Sequence, residues 1–219
     1  MGSSESKQSE KHQEDKSDTF STSESDCFSD PTRVGAAPSG HPQPQPSSKS
    51  ITECKTLISE GNNDFHRQRY DKSYRLYIAA VCALMQPTKD PSEILIEDVT
   101  CFVDGILEET QRYVKILTEK EGQASLQGGI NHILSEAGEQ CAVSEDIATP
   151  EIVLQLKYKA EICDFVGDLM NNLGAACFAN GDVVHALEIY GKALPLKRMV
   201  DGESLASAEI LQNIAVTFE

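Results

Sequence analysis

Cysteine and histidine are the residues of this chain that could bind a metal or act as nucleophile and base. The sequence has 7 Cys and 5 His among 219 residues. No two cysteines form a Cys-x-x-Cys pair, and no histidine completes a zinc-binding set. We expect His66, His132 and His185 to have no carboxylate or thiol placed to act with them at a site. The sequence therefore predicts no metal, no cofactor and no catalytic residues, so we expect a protein that is not an enzyme.

The cysteines are better explained as structural residues. They are scattered, odd in number, and mostly placed on apolar faces of predicted helices. Such residues are typical of reduced core thiols in a cytoplasmic protein. Gly128-Gly129 does not belong to a phosphate-binding loop, because no GxxxxGK motif accompanies it.

The N-terminal sequence MGSSESK could support lipid attachment. Gly2, Ser6 and Lys7 fit the N-myristoylation pattern, and the stretch resembles the start of Src-type kinases. The lysine-rich run that follows in those kinases is missing, since residues 1–30 contain 3 Lys against 8 Asp plus Glu. One myristoyl chain alone gives reversible membrane binding. We therefore expect acylation of Gly2 and peripheral membrane association, with a chance match in a serine-rich tail as the alternative.

Charge and composition exclude several partner classes. The formal net charge is −16, from 35 acidic and 19 basic side chains. Nucleic acid needs a clustered cationic surface, and so does anionic lipid. The acidity favours a basic or apolar protein segment as partner. No apolar run reaches the roughly 18 residues that a membrane-spanning helix needs.

Residues 1–50 differ from the rest of the chain in composition. Ser, Glu, Asp, Lys and Gln dominate, and GAAPSGHPQPQPSS adds proline and glycine. Such a segment buries too little apolar surface to offset the entropy lost on ordering. We predict a disordered tail with its boundary near Ser48.

Small and large side chains alternate at helical spacing in residues 171–194, NNLGAACFANGDVVHALEIYGKAL. The interruption at 180–182 predicts two helices of about 14 residues joined by a tight turn. Gly174 and Ala186 are expected where the helix backbones approach, and Phe178 is expected in the core. The stretch closely resembles the tetratricopeptide repeat, whose pattern is L-G-x6-G-x4-A-L-x2-Y-x2-A-L. Eight residues match in register: Leu173, Gly174, Gly181, Ala186, Leu187, Tyr190, Ala193 and Leu194.

An earlier stretch, residues 57–81, repeats this pattern in degenerate form. Gly61 aligns with Gly174 and Tyr77 with Tyr190, while Gln68 stands where the family has glycine. A single helical hairpin cannot bury its apolar face, so several copies are expected to stack. We predict a hairpin over residues 51–86.

A third copy begins near the C-terminus, where Asn213 aligns with Asn172 at an offset of 41. This offset is similar to the roughly 42-residue repeat of kinesin light chains. We expect residues 150–219 to hold one hairpin and the first helix of a further, truncated repeat. Residues 87–149 are predicted to be a helical insertion or degenerate repeats.

The resemblance implies an all-α superhelix of αα-hairpins whose concave groove binds a partner peptide or helix. Asn172 and Asn213 are expected to face that groove. The family's chaperone-binding version holds a terminal carboxylate with two Asn and three cationic residues. Its two Asn match Asn62 and Asn172, but its three cationic positions are occupied by Ile58, Glu209 and Asn213. No such carboxylate clamp is therefore expected.

Three functions fit this reading of the sequence. The first is a protein-binding adaptor or scaffold tethered to a membrane by myristate. The second is the same scaffold without acylation, free in the cytoplasm. The third is the N-terminal regulatory part of a larger tetratricopeptide-containing signalling protein or enzyme.

Overall fold

The computed structural model describes residues 47–85, 90–121, 128–140 and 150–219 of the chain. Within these ranges every regular element is helical, so the all-α class is confirmed for this part of the chain. The elements are α1 (Ser48–His66), α2 (Tyr70–Met85), a 3-10 helix (Pro91–Glu93), α3 (Ile96–Glu121), α4 (Gly129–Gln140), α5 (Pro150–Ala179), α6 (Val183–Asp201) and α7 (Leu205–Thr217).

The first helix starts where the composition of the chain changes. Ser47 caps α1, because its hydroxyl accepts a hydrogen bond from the backbone N–H of Ser50 at 3.1 Å. The last residues assigned to the tail, 48–50, therefore belong to α1. The rest of the predicted tail lies outside the described residues, and so does Gly2.

Two helix pairs have turns with the same hydrogen bonds at an offset of 113 residues. The first pair is α1 with α2, and the second is α5 with α6. In the first turn the N–H of Arg69 bonds the carbonyl of Asp64 at 2.9 Å, and in the second the N–H of Asp182 bonds that of Cys177 at 2.9 Å. Both are six-residue closures of the type that ends a helix with one residue in the left-handed region. The local structure of the two copies is therefore the same at this point.

The left-handed residue is glycine in only one of the two turns. It is Gly181, with φ 82°, in the second turn and Gln68, with φ 58°, in the first. A side chain is disfavoured at positive φ because its Cβ crowds the backbone. Gln68 therefore keeps a strained conformation that the helix cap requires.

Replacing Gln68 with glycine should stabilise the protein. We expect a gain of about 0.5–1 kcal/mol, since relief of the left-handed strain exceeds the entropy that glycine adds to the unfolded chain. Urea unfolding followed by circular dichroism measures it. Gly181→Ala is the matched control and should lower the free energy of unfolding. A Gln68→Gly variant less stable than the parent would contradict this account of the turn.

Inside each pair a glycine lies beneath a tyrosine ring. A Cβ added to Gly61 would lie 2.6 Å from the ring of Tyr77, and one added to Gly174 would lie 2.7 Å from that of Tyr190. Both tyrosines are buried. The sequence predicted that the helix backbones approach each other at Gly174, whereas in the structure a tyrosine ring is what lies closest to this glycine and to Gly61.

The helices that are adjacent in space are not always adjacent in sequence. Apart from α6, the other helix of its pair, α5 lies against α2 and α3, and α7 lies mainly against α6. The long segment that separates the two pairs in sequence does not lie between them in space, because its helices α3 and α4 pack on α5 and α6. Ion pairs fix this contact, with Lys159 Nζ 2.8 Å from Glu109 and Lys192 Nζ 2.7 Å from Asp104.

Helix lengths depart from the prediction of about 14 residues for each helix of the second pair. α5 runs without a break through Gly167 and has 30 residues, while α6 continues past Pro195 and has 19. α3 and α4 both pack on these two long helices. α3 begins at Ile96, after a separate 3-10 turn of residues 91–93.

Candidate functional site

A cavity lies between the facing sides of α1 and α5. Its volume is about 210 Å³. The lining residues come from both helices and from the tyrosine of α2: Asn62, Phe65, His66, Tyr77, Asn172 and Ala175. We call this space the α1–α5 cavity. It is where the two copies of the repeat meet, and its walls combine side-chain amides with aromatic rings.

Asn62 is held in place by Tyr77. The Tyr77 hydroxyl donates to Asn62 Oδ1 at 2.6 Å. Burial raises the pKa of this hydroxyl, so it stays a donor at neutral pH. Because the amide oxygen is engaged, the Asn62 amide nitrogen remains to donate to a ligand. The sequence identified Asn62 only as a clamp position and gave no sign that Tyr77 orients it.

Asn172 lies in this cavity, as one of the two expected binding residues. It is half-buried. Among the described residues its side chain makes no hydrogen bond, so the amide can both donate to and accept from a bound main chain. An amide in this position suits recognition of a peptide backbone.

Asn213, the second expected binding residue, has a different role. Its Nδ2 donates to Asn171 Oδ1 at 2.9 Å, which joins α7 to α5. Asn213 does not line the α1–α5 cavity. The structure therefore brings Asn172 together with Asn62 and places Asn213 in the contact between α5 and α7.

Phe178 was expected in the core, and this prediction is wrong. The side chain is 37% exposed. It lies one helical turn beyond Ala175, at the spacing that places residues on one face of a helix. An exposed aromatic ring thus lies on α5 one turn beyond a residue that lines the cavity.

The histidines of the described region do different things. His66 lines the α1–α5 cavity, and His132 is exposed. The expectation that His185 has no nearby carboxylate is wrong, because its Nδ1 lies 2.7 Å from Asp182 Oδ2. This hydrogen bond raises the pKa of His185 and lowers that of Asp182. Asp182 also caps α6 through the N–H of His185, so the pair stabilises a helix start.

Four of the five cysteines in the described ranges are buried, and Cys101 is exposed. Burial raises the pKa of Cys54 and Cys177 to about 12 and that of Cys163 to about 11. Thiols with such pKa values are weak nucleophiles at neutral pH. The described part of the chain contains no cluster of three His, Cys, Asp or Glu side chains that could hold a metal ion.

The described helices include none with both the length and the apolar character to cross a membrane. The similarity that the structure does contain is internal, between the turns and glycine–tyrosine contacts of the two helix pairs. Comparison with protein-family models, with curated proteins and with solved structures finds no match to this chain.

Proposed function

We propose that this protein is a non-catalytic adaptor of the tetratricopeptide-repeat type, acting in the cytoplasm. It holds an extended segment of a partner protein along the side of the repeat that contains the α1–α5 cavity. The observation that carries this proposal is the meeting of Asn62 and Asn172 in that cavity. Side-chain amides on neighbouring repeats can bond the main chain of a peptide and leave its side chains to be selected nearby.

The chemistry around the cavity restricts the partner. Ile58, Glu209 and Asn213 supply no cation, so a terminal carboxylate finds no clamp. Phe178 offers an aromatic contact, and the net charge of −16 repels acidic segments. The partner segment is therefore expected to carry an apolar residue and basic flanks.

Site-specific crosslinking tests the proposal in cells. A photoreactive phenylalanine analogue replaces Ala175, which lines the cavity, and the crosslinked protein is identified by mass spectrometry. The same analogue at Val184, which is 74% exposed on α6, is the control. We expect a partner that crosslinks from position 175 and not from position 184. Identical products from both positions would contradict binding in the cavity.

Asn172→Ala should then weaken the purified interaction. Loss of one main-chain hydrogen-bond pair corresponds to about a 3- to 10-fold rise in Kd. Isothermal titration with the crosslinked segment measures it. Asn180→Ala is the matched control, since Asn180 is exposed and lies outside the cavity. Equal Kd values for both variants would count against the assignment of Asn172.

We further propose that Gly2 is myristoylated and that the adaptor binds membranes reversibly through this one chain. The MGSSESK sequence supports the modification, and the acidic residues that follow limit the strength of binding. Labelling with an alkyne myristate should mark the wild-type chain and fail on Gly2→Ala. Retention of the label by that variant would show that the acyl group is elsewhere.

A further inference from the structure

Phe65 and Phe178 are equivalent aromatic residues on the side of the repeat that contains the α1–α5 cavity. They are 113 positions apart, and each follows the residue whose carbonyl closes an equivalent turn, Asp64 or Cys177. Phe65 lines the cavity, and Phe178 lies one helical turn beyond Ala175, which lines it too. We call Phe65 and Phe178 the groove phenylalanines.

Both groove phenylalanines are open to a ligand. Phe65 is half-buried, and the ring of Tyr70 lies edge-on against it with the ring centroids 5.2 Å apart. Phe178 is 37% exposed. α7 is joined to α5 by the hydrogen bond from Asn213 to Asn171. Phe178 thus stays exposed with its neighbouring helix α7 in place.

The separation of the two rings favours one conformation of a bound peptide. Packed helices have axes about 8–10 Å apart, so equivalent residues on α1 and α5 are separated by about this distance. In a polyproline II helix, residues three positions apart lie on the same side and about 9 Å from each other. In a β-strand, residues on the same side are about 7 or 13 Å apart. The spacing of the groove phenylalanines therefore matches polyproline II.

The hydrogen-bonding groups of the cavity suit a segment that contains proline. Asn62 can only donate, because the Tyr77 hydroxyl bonds its Oδ1 at 2.6 Å. Proline has a carbonyl oxygen but no N–H, so it satisfies a donor and brings no donor that needs a partner. The backbone of polyproline II makes no internal hydrogen bonds, so its carbonyls are free to accept. Asn172 can bond the N–H of a non-proline neighbour.

The size of the cavity suits one small side chain. Its volume of about 210 Å³ is below the range of about 300–1,000 Å³ that is usual for pockets of drug-sized ligands. Phe65 and His66 provide ring faces in its wall. Grooves lined by aromatic residues are the sites that bind the prolines of polyproline II segments.

We infer that the partner segment of the proposed adaptor is a polyproline II segment with the pattern Pro-x-x-Pro. One proline enters the α1–α5 cavity against Phe65, and the other lies on Phe178. The inference rests on the proposed function and names the partner chemistry of the same site. No two of the 9 prolines in this sequence are three positions apart, so a partner protein is expected to supply the segment. The net charge of −16 favours basic residues on both sides of it.

Fluorescence polarisation with the full chain tests the spacing. The probe is a labelled peptide with lysines at both ends, alanine spacers and two prolines three positions apart. We expect a Kd in the range of about 10–300 μM. Peptides with the prolines two or four positions apart should bind about fivefold more weakly or worse, because their second proline points away from Phe178. Equal Kd values for the three spacings, or no binding up to millimolar peptide, would overturn the inference.

Phe178→Ala separates the two contacts. It should raise the Kd of the probe by about fivefold and leave that of a peptide with one proline unchanged, because the single proline uses only the cavity. Phe218→Ala is the matched control, since this phenylalanine is 73% exposed and lies outside the cavity. Equal effects of the two variants on the probe would contradict the contact with Phe178.

The crosslinking experiment at position 175 distinguishes this inference from the proposed function. A partner that crosslinks there through a segment without proline would overturn the inference and leave the adaptor function standing. The absence of any crosslinked partner would overturn the adaptor function itself. A crosslinked segment with the pattern Pro-x-x-Pro and basic flanks is the expected result.

Discussion

Replacement of Gly174 with alanine should destabilise the protein by about 1–2 kcal/mol, although alanine is the better helix former. The added Cβ would lie 2.7 Å from Cε1 and 2.8 Å from Cδ1 of Tyr190. The ring of Tyr190 cannot move away from the new methyl group into solvent, since this residue is only 2% exposed. Overpacking of this kind costs typically about 1–3 kcal/mol, which outweighs the helical preference of about 0.5–1 kcal/mol for alanine over glycine.

Gly191 provides the matched control for this prediction. It lies in α6, and a Cβ added there would meet nothing within 4 Å. Gly191→Ala should therefore raise the free energy of unfolding by about 0.5–1 kcal/mol. Urea unfolding of both variants should show a lower free energy of unfolding for Gly174→Ala and a higher one for Gly191→Ala. Gly61→Ala should behave like Gly174→Ala, because Tyr77 occupies the equivalent position.

A second substitution separates steric conflict from a general effect on the helix. Tyr190→Leu alone should be destabilising, since it removes a buried ring. The same Tyr190→Leu substitution should cost less stability in the Gly174→Ala background, because the shorter side chain leaves room for the new methyl group. Additive effects of the two substitutions, or a Gly174→Ala variant as stable as Gly191→Ala, would contradict the proposed contact.

Local pattern was enough to predict the helix pairs. Gly61 and Gly174 each precede a tyrosine by 16 positions, and this spacing brings the two residues together across a tight turn. The turn itself is determined by a few consecutive residues. Such features depend on neighbours in sequence, which is why Gln68 could be identified as a departure before its φ was known.

The features that the sequence did not predict depend on contacts between residues that are far apart in the chain. α5 continues through Gly167, and the stem of Lys197 lies beside that glycine. Lys159 and Lys197 are buried, although hydropathy assigns lysine to the surface. Their acidic partners lie on other helices, and no periodicity within one helix reveals such a pair.

The candidate site was only partly predicted, because it too depends on contacts between different helices. The position of Asn172 in the repeat predicted that it faces a groove, and in the structure it lines the α1–α5 cavity. Asn213 bonds Asn171 because of the exact distance between α5 and α7. The orientation of Asn62 depends on the hydroxyl of Tyr77, which reaches it across the helix pair. Such contacts depend on how the helices pack, and the spacing of residues along one helix does not reveal them.

The double substitution Asp164→Asn with Asp168→Asn should cost about 3 kcal/mol of stability at pH 7, since it leaves a buried cation without its anions. The Lys197 side chain is only 5% exposed, and its Nζ lies 2.6 Å from Asp164 and 2.5 Å from Asp168. Burial acts to lower the pKa of Lys197, but the hydrogen bonds to the two carboxylates outweigh it and the pKa is raised.

The pH dependence should change sign in the variant. In the parent, a raised lysine pKa stabilises the fold below the unfolded pKa of about 10.4, and this contribution is lost as the pH rises through the folded pKa. Without the carboxylates only burial acts, so the pKa falls below its unfolded value. The double variant should then gain stability as the pH rises from 7 towards 10, while the parent should not.

Lys197→Met distinguishes the charge from the packing of the side chain. Methionine keeps an unbranched apolar stem over Gly167 and leaves Asp164 and Asp168 half-exposed, where water can solvate them. We expect a loss within about 1 kcal/mol, and adding this substitution to the double variant should restore most of its stability. Urea unfolding at pH 7, 8.5 and 10 measures all four proteins. If Lys197→Met is as destabilising as the double variant, the ion pairs themselves stabilise the α5–α6 contact, and the loss in the double variant does not come from an unpaired buried cation.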